Sequence, residues 1–207
     1  MAVFFLNPIF LSVLDAIPLV FFVAVIFWAG YVNYISSPSG ALRRKTFLSL
    51  AFIVIGFRVV FALIKTGLQY YAWAQDPMGK LLLPPIQSVF VFVRYAWTHF
   101  WINPLIAVGV GLFVLLLLSV LQRKNERFFD TGEVELGMLL TIVVGWPHFV
   151  LFFPLTFLLV VMLSAIRGIF FKEQFTTLGL PFFIASIIAL FFGIQAIIGM
   201  HLTALVI

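Results

Sequence analysis

The sequence predicts an all-α fold of the membrane type: a polytopic helical bundle of about six transmembrane helices, the fourth short, plus one interfacial amphipathic helix. Three observations lead there. The 207 residues are 64% hydrophobic and only 9% charged, whereas a soluble domain carries about 25% charged residues to cover its exterior. Mean hydropathy is +1.24. The apolar residues also fall into separate runs, most of them approaching the roughly 20 helical residues that cross a bilayer. Residues 1–207 read as a single transmembrane domain, with no internal repeat and no soluble module.

The first run spans about residues 10–34 and carries Asp15 near its start. No Lys or Arg precedes Arg43, and the run is too long for the apolar core of a signal peptide, so it is expected to stay as an anchor. The turn cluster 36–40 (Ser-Ser-Pro-Ser-Gly) ends it, followed by Arg43-Arg44-Lys45. The second span covers about 46–73 and contains Arg58 and Lys65. Asp76-Pro77 and Pro84-Pro85 punctuate a loop over 76–85. Residues 86–101 are rich in Phe, Tyr and Trp, and Gln87, Arg94 and Thr98 share one helical face, which predicts an interfacial helix.

Asn103-Pro104 is expected to separate that helix from the third span, about 105–121, which the basic cluster 123–127 closes. A short fourth segment, about 134–144, follows Asp130-Thr131-Gly132-Glu133. Gly145-Trp146-Pro147 then turns the chain into a fifth span, about 149–171, bounded by Arg167, Lys172 and Glu173. The last span, about 178–204, has no charge.

Twelve basic residues stand against seven acidic ones, a net charge of +5. In lipid such an excess reports orientation, because Lys and Arg accumulate in cytoplasmic loops; it does not point to nucleic acid. Arg43-Arg44-Lys45, then Arg123, Lys124 and Arg127, then Arg167 and Lys172 mark the odd-numbered loops as cytoplasmic. Both termini are then expected outside, in a plasma (inner) membrane. Tyr70, Tyr71, Trp73 and Trp146 are expected at the outer surface as part of an aromatic belt.

Charges inside spans are costly and mark candidate sites. Asp15 and Lys65 lie at matching depths near the outer ends of antiparallel spans, so an ion pair is one expectation. Separate snorkelling to the interface is the other. Arg58 falls near mid-membrane and is expected to face the bundle interior or a wet cavity, bonded to carbonyls or a carboxylate; contact with a substrate anion is a second use. Ala107 and Gly111, and Ala185, Ala189 and Gly193, are four apart, which lets helix backbones approach closely within one chain or between copies.

The absence of Cys excludes disulfides, thiol catalysis and thiolate metal sites. His99, His148 and His201 show no paired ligand spacing, so no metal and no other cofactor is expected. The densest acidic group is Glu126, Asp130, Glu133 and Glu135. Asp130 as cap with Glu133 three residues on would form a capping-box-like helix start. The same acids, Glu133 with Asp130 or Glu135 in particular, are the candidates for an acid/base pair activating water, which requires one raised pKa.

The stretch Gly132-Glu133-Val134-Glu135-Leu136-Gly137, then Gly145-Trp146-Pro147, a long apolar helix, a basic patch and Leu178-Gly179-Leu180-Pro181-Phe182-Phe183 resembles the C-terminal part of type IV prepilin peptidases. The resemblance covers about the last third of the chain. That family opens a short helix with Gly-x-Gly-Asp-Val-Lys-Leu, follows it with a Gly-Trp turn, and carries a proline-containing stretch before the last span. Its members cleave prepilin leader sequences with two membrane-surface aspartates, and some also methylate the new N-terminus.

The resemblance puts Glu133 where the second catalytic Asp stands, Asp130 where the first Gly stands and Glu135 where the Lys stands. Asp76, with 81–84 (Leu-Leu-Leu-Pro) after it, is similar to the stretch around the first Asp. The charge-based topology, however, sets Asp76 and Glu133 on opposite sides of the membrane. The expected function is therefore that of a non-catalytic membrane protein on a prepilin-peptidase-like scaffold, acting by helix packing or by recognising another membrane protein or a second copy. An intramembrane hydrolase using Glu133 with a neighbouring carboxylate is the first alternative. A small transporter or channel component, with Arg58 on its path, is the second.

Overall fold

The computed structural model describes residues 8–35, 39–124, 129–170 and 178–202. The turn residues 36–38, Glu126, Arg127, Lys172, Glu173 and the end of the last span lie outside these. Among the described residues six helices form the bundle: α1 (Pro8–Tyr34), α2 (Gly40–Gln75), α3 (Val89–Lys124), α4 (Glu133–Val144), α5 (Phe149–Phe170) and α6 (Gly179–Gly199). A 3-10 turn, Gly79–Leu82, lies between α2 and α3. All but α4 are long and apolar enough to cross a membrane, and no strand occurs among the described residues. The chain is a multi-pass helical bundle of membrane character.

Helical periodicity decides which side of each helix faces inward. On α1 the buried residues are Phe22, Val25, Ile26, Ala29 and Val32, a three-and-four spacing that forms one stripe. On α2 they are Phe47, Ala51, Val54 and Ala62, and Arg58 and Lys65 continue the same stripe. The opposite faces carry Trp28, Phe52, Phe113 and Val161, all more than half exposed, as befits surfaces solvated by lipid rather than water.

Helix α4 is the short one. Its twelve residues are all buried, and at 1.5 Å per residue it reaches only about 18 Å. It packs against α1, α2, α3 and α6 and forms the axis of the bundle. A helix apolar all round needs that position. Small residues on α4 and on its neighbours provide the room: a Cβ on Gly111 of α3 would run into the Ile142 side chain, and one on Gly137 of α4 would meet Leu118 of α3 at 2.6 Å.

α2 runs parallel to α4, with Gly40 against Thr131 at one end and Arg58 against Ile142 and Val143 at the other. From the turn after α4, α5 returns alongside α6, with Phe152 stacked on Phe182 at 6.1 Å. α4 and α5 thus form a hairpin whose turn lies inside the bundle. This corrects the expectation that Trp146 shares one level with Tyr70 and Trp73. The turn meets α2 at Arg58, whereas Tyr70 and Trp73 lie at least a dozen residues further along, about 20 Å at 1.5 Å per residue.

A second correction concerns residues 86–101. They do not form a separate interfacial helix, because α3 is continuous through Asn103-Pro104. It is α-helical over Val89–Ala96, widens into a π turn at Trp97–Trp101, and resumes as α-helix over Ile102–Lys124. Pro104 lacks an N–H and would break a regular ladder; the wide turn just before it takes up the slip, a role π turns commonly have. Thr98 Oγ1 donates to the Tyr95 carbonyl, and Trp101 Nε1 donates to Thr66 Oγ1 of α2 at 3.2 Å. Beyond it, Leu83, Phe92 and Ala96 pack with Trp73 into a small second core.

Candidate functional site

Two charged constellations sit at the two ends of α4. The first is at the basic end of the bundle, where Arg43, Arg44, Arg123 and Lys124 lie. Gly132 precedes the helix in the left-handed region, φ +92°, where a side chain would be strained. Glu133 is 3% exposed. Its Oε2 accepts from the Asp130 N–H at 3.0 Å and the Leu178 N–H at 3.3 Å, and its Oε1 accepts from the Gly179 N–H at 2.7 Å. One acid thus closes the loop before α4 and caps the N-terminus of α6, where unpaired N–H groups and the helix dipole both favour negative charge.

Half of the expected capping box forms. Glu133 reaches back to the Asp130 N–H, but Asp130 does not cap the helix in return. Its Oδ1 accepts from the neighbouring Thr131 N–H, and its Oδ2 pairs with Arg43 Nη2 at 2.8 Å. Glu135 is buried and pairs with Arg44, whose side chain is largely exposed. The structure therefore brings Asp130, Glu133 and Glu135 to one end of α4 and gives each its own partner. Burial pushes the Glu133 carboxyl above the usual carboxylate range, outweighing the backbone N–H donors that favour its charged form.

Asp76 is elsewhere. It follows the last residue of α2, with Oδ2 accepting from the Gly79 N–H at 2.7 Å. Because Gly40 touches Thr131, the whole of α2 separates Asp76 from Glu133, about 50 Å at 1.5 Å per residue.

The second constellation closes the other end of α4. Arg58 Nε donates to the Ile142 carbonyl and Nη2 to the Val143 carbonyl, each at 3.1 Å. Its guanidinium also lies 4.6 Å from the centre of the Phe22 ring. Carbonyls of the last turn have no partner within the helix, and a cation beside them complements the negative end of the dipole. Gly145, φ +66°, turns the chain directly under the guanidinium, where a Cβ would clash with it. Nearer the aromatic end, Lys65 Nζ lies 2.8 Å from Asp15 Oδ1.

The small-residue faces point inward. Ala107, Gly111, Ala185, Ala189 and Gly193 are all buried, with Gly193 against the His148 ring. Sequence reasoning named these positions without finding a partner; the α4–α5 hairpin supplies one for Gly111, at Ile142, and for Gly193, at His148. Among the described residues no group of three His, Cys, Asp or Glu side chains is placed to hold a metal ion. His99 lies in the π turn of α3, His148 in the hairpin turn and His201 just beyond α6. Comparison with protein-family models, with curated proteins and with solved structures finds no match.

Proposed function

We propose that the chain is a non-catalytic multi-pass membrane protein on a scaffold similar to that of the prepilin peptidases. It acts by packing against, and recognising, another membrane protein or a second copy of itself. One observation supports this reading: among the described residues, every acid at the start of α4 is already engaged. Glu133 is held by three backbone N–H groups, Asp130 by Arg43 and Glu135 by Arg44. A carboxylate dyad needs two carboxyls sharing a water or a proton, and these acids face cations and amides instead. The other aspartate in the resemblance, Asp76, is a full helix length away.

The proposal includes orientation. The basic end faces the cytoplasm of an inner membrane and both termini lie outside, because Lys and Arg concentrate at that end. The chemistry is tested by incubating the purified protein in neutral detergent with a type IV prepilin leader peptide and following cleavage by mass spectrometry. No cleavage is expected. Cleavage that disappears in Glu133→Gln would overturn the reading in favour of an intramembrane hydrolase.

A further inference from the structure

A cavity of about 250 Å³ lies between α1, α2 and α3 beside Arg58, walled in part by Phe22, Phe57, Phe61, Lys65 and His99. The geometry points to this cavity as a binding site for a small monoanion carried on an apolar body, such as an aryl or short-chain carboxylate. It is independent of the acids at the basic end, and it draws on three observations.

The first is charge. Arg58 has no carboxylate within ion-pair distance among the described residues, whereas Lys65 is paired with Asp15. The three groups leave one net positive charge in a wall otherwise made largely of aromatic rings. The C-terminus of α4 offsets only part of it, since a helix end carries about half an elementary charge. Two of the five guanidinium N–H donors are engaged by the α4 carbonyls. The remaining donors suit an oxyanion, and in a medium of low polarity the pairing is strong.

The second observation is the backbone. Pro18 of α1 and Pro104 of α3 both line the cavity, and the π turn Trp97–Trp101 adjoins it. Each proline removes an N–H from the helical ladder. In membrane proteins irregular backbone is tolerated where it is buried in protein or lines a cavity, and π turns are frequent at functional sites. Three interruptions on two helices converge on this one space.

The third is the lining itself. Four Phe side chains, including Phe100, surround the cations. Ligand sites pair such apolar walls with a few convergent polar groups. The aromatic rings hold the body of the ligand, Arg58 its oxyanion, and Lys65 stands towards the aromatic end with a side chain one-third exposed. A free carboxylate and an anionic lipid headgroup share this chemistry, so both are assayed.

The test is thermal unfolding of the purified protein in neutral detergent, read by intrinsic tryptophan fluorescence. The probes are 4-phenylbutyrate, its neutral amide, and phosphatidylglycerol in mixed micelles. A ligand specific for the folded state raises Tm saturably. The carboxylate should do so and the amide should not. Lys65→Gln should weaken apparent affinity several-fold. Arg58→Gln should abolish the response, and because it also frees the α4 carbonyls, Ala62→Leu serves as the second variant. Ala62 is buried in the cavity wall one turn from Arg58, so its enlargement should weaken binding at least tenfold while Arg58 stays bonded. A response to the lipid alone that Ala62→Leu removes assigns the same oxyanion site to a headgroup. No response to either anion, an equal response to the amide, or binding unchanged in Ala62→Leu overturns the site.

Discussion

Arg58 and Glu133 carry opposite charges at opposite ends of one buried helix, and each sign matches the end it serves. Glu133 sits where N–H groups lack partners and Arg58 where carbonyls do. A buried charge is tolerated only when neighbouring dipoles replace the water it has lost. For Glu133 that replacement is incomplete, since burial still raises its pKa. A group whose pKa is higher folded than unfolded binds its proton more readily in the folded state. Stability is then greatest at low pH and falls as pH climbs from the ordinary glutamate value through the raised one. Thermal unfolding in detergent across that window should show Tm falling with pH, and Glu133→Gln should flatten the slope. A Tm that rises through the window, or a slope identical in the variant, would count against the burial account.

Helix α4 is stable only because its neighbours leave space for it, and glycine on α3 provides part of that space. Gly111 is buried where a Cβ would meet Ile142, whereas Gly109 of the same helix is exposed with nothing within 4 Å. Gly111→Leu forces α3 away from α4, and overpacking of this kind typically costs about 1–3 kcal/mol. Gly109→Leu should change stability little, since its side chain would enter lipid. Parallel denaturant unfolding of the two variants checks this, and equal losses would contradict the packing described. The contrast also marks what periodicity makes legible. The four-residue spacing of Ala107 with Gly111, and of Ala185, Ala189 and Gly193, identified close-packing faces from sequence. It did not identify the partner, because α4 is apolar on every side and has no stripe to match. Arg58 was legible as an inward-facing charge because an arginine near mid-membrane is costly against lipid. The convergence of Pro18, Pro104 and the π turn on one cavity was not legible, because it depends on the register between α1 and α3. Asn103-Pro104 read as a break for the same reason: local signals predict where a ladder weakens, and only tertiary support keeps it intact.

At the scale of the whole molecule, basic and aromatic residues gather at opposite ends, and the position of the α4–α5 turn distinguishes this bundle from six simple passes. Arg43, Arg44, Arg123 and Lys124 crowd one end, while Trp73, Phe92 and Tyr95 pack at the other. The turn after α4 belongs to neither: it lies beside Arg58 at the middle of α2, with His148 packed on Gly193. The chain contains no Cys, so single cysteines report accessibility without background. In intact cells a membrane-impermeant maleimide should label Lys80→Cys from outside and leave Lys45→Cys and Lys124→Cys unlabelled until the membrane is opened. Trp146→Cys is the discriminating position. If α4 crossed the bilayer, residue 146 would react from outside as readily as residue 80. With the turn held about 20 Å short of the aromatic end along α2, it should react from outside much more slowly than residue 80. Labelling of residue 146 at the same rate as residue 80 would show that α4 reaches the outer surface and that Arg58 lies at its mouth rather than within the bundle.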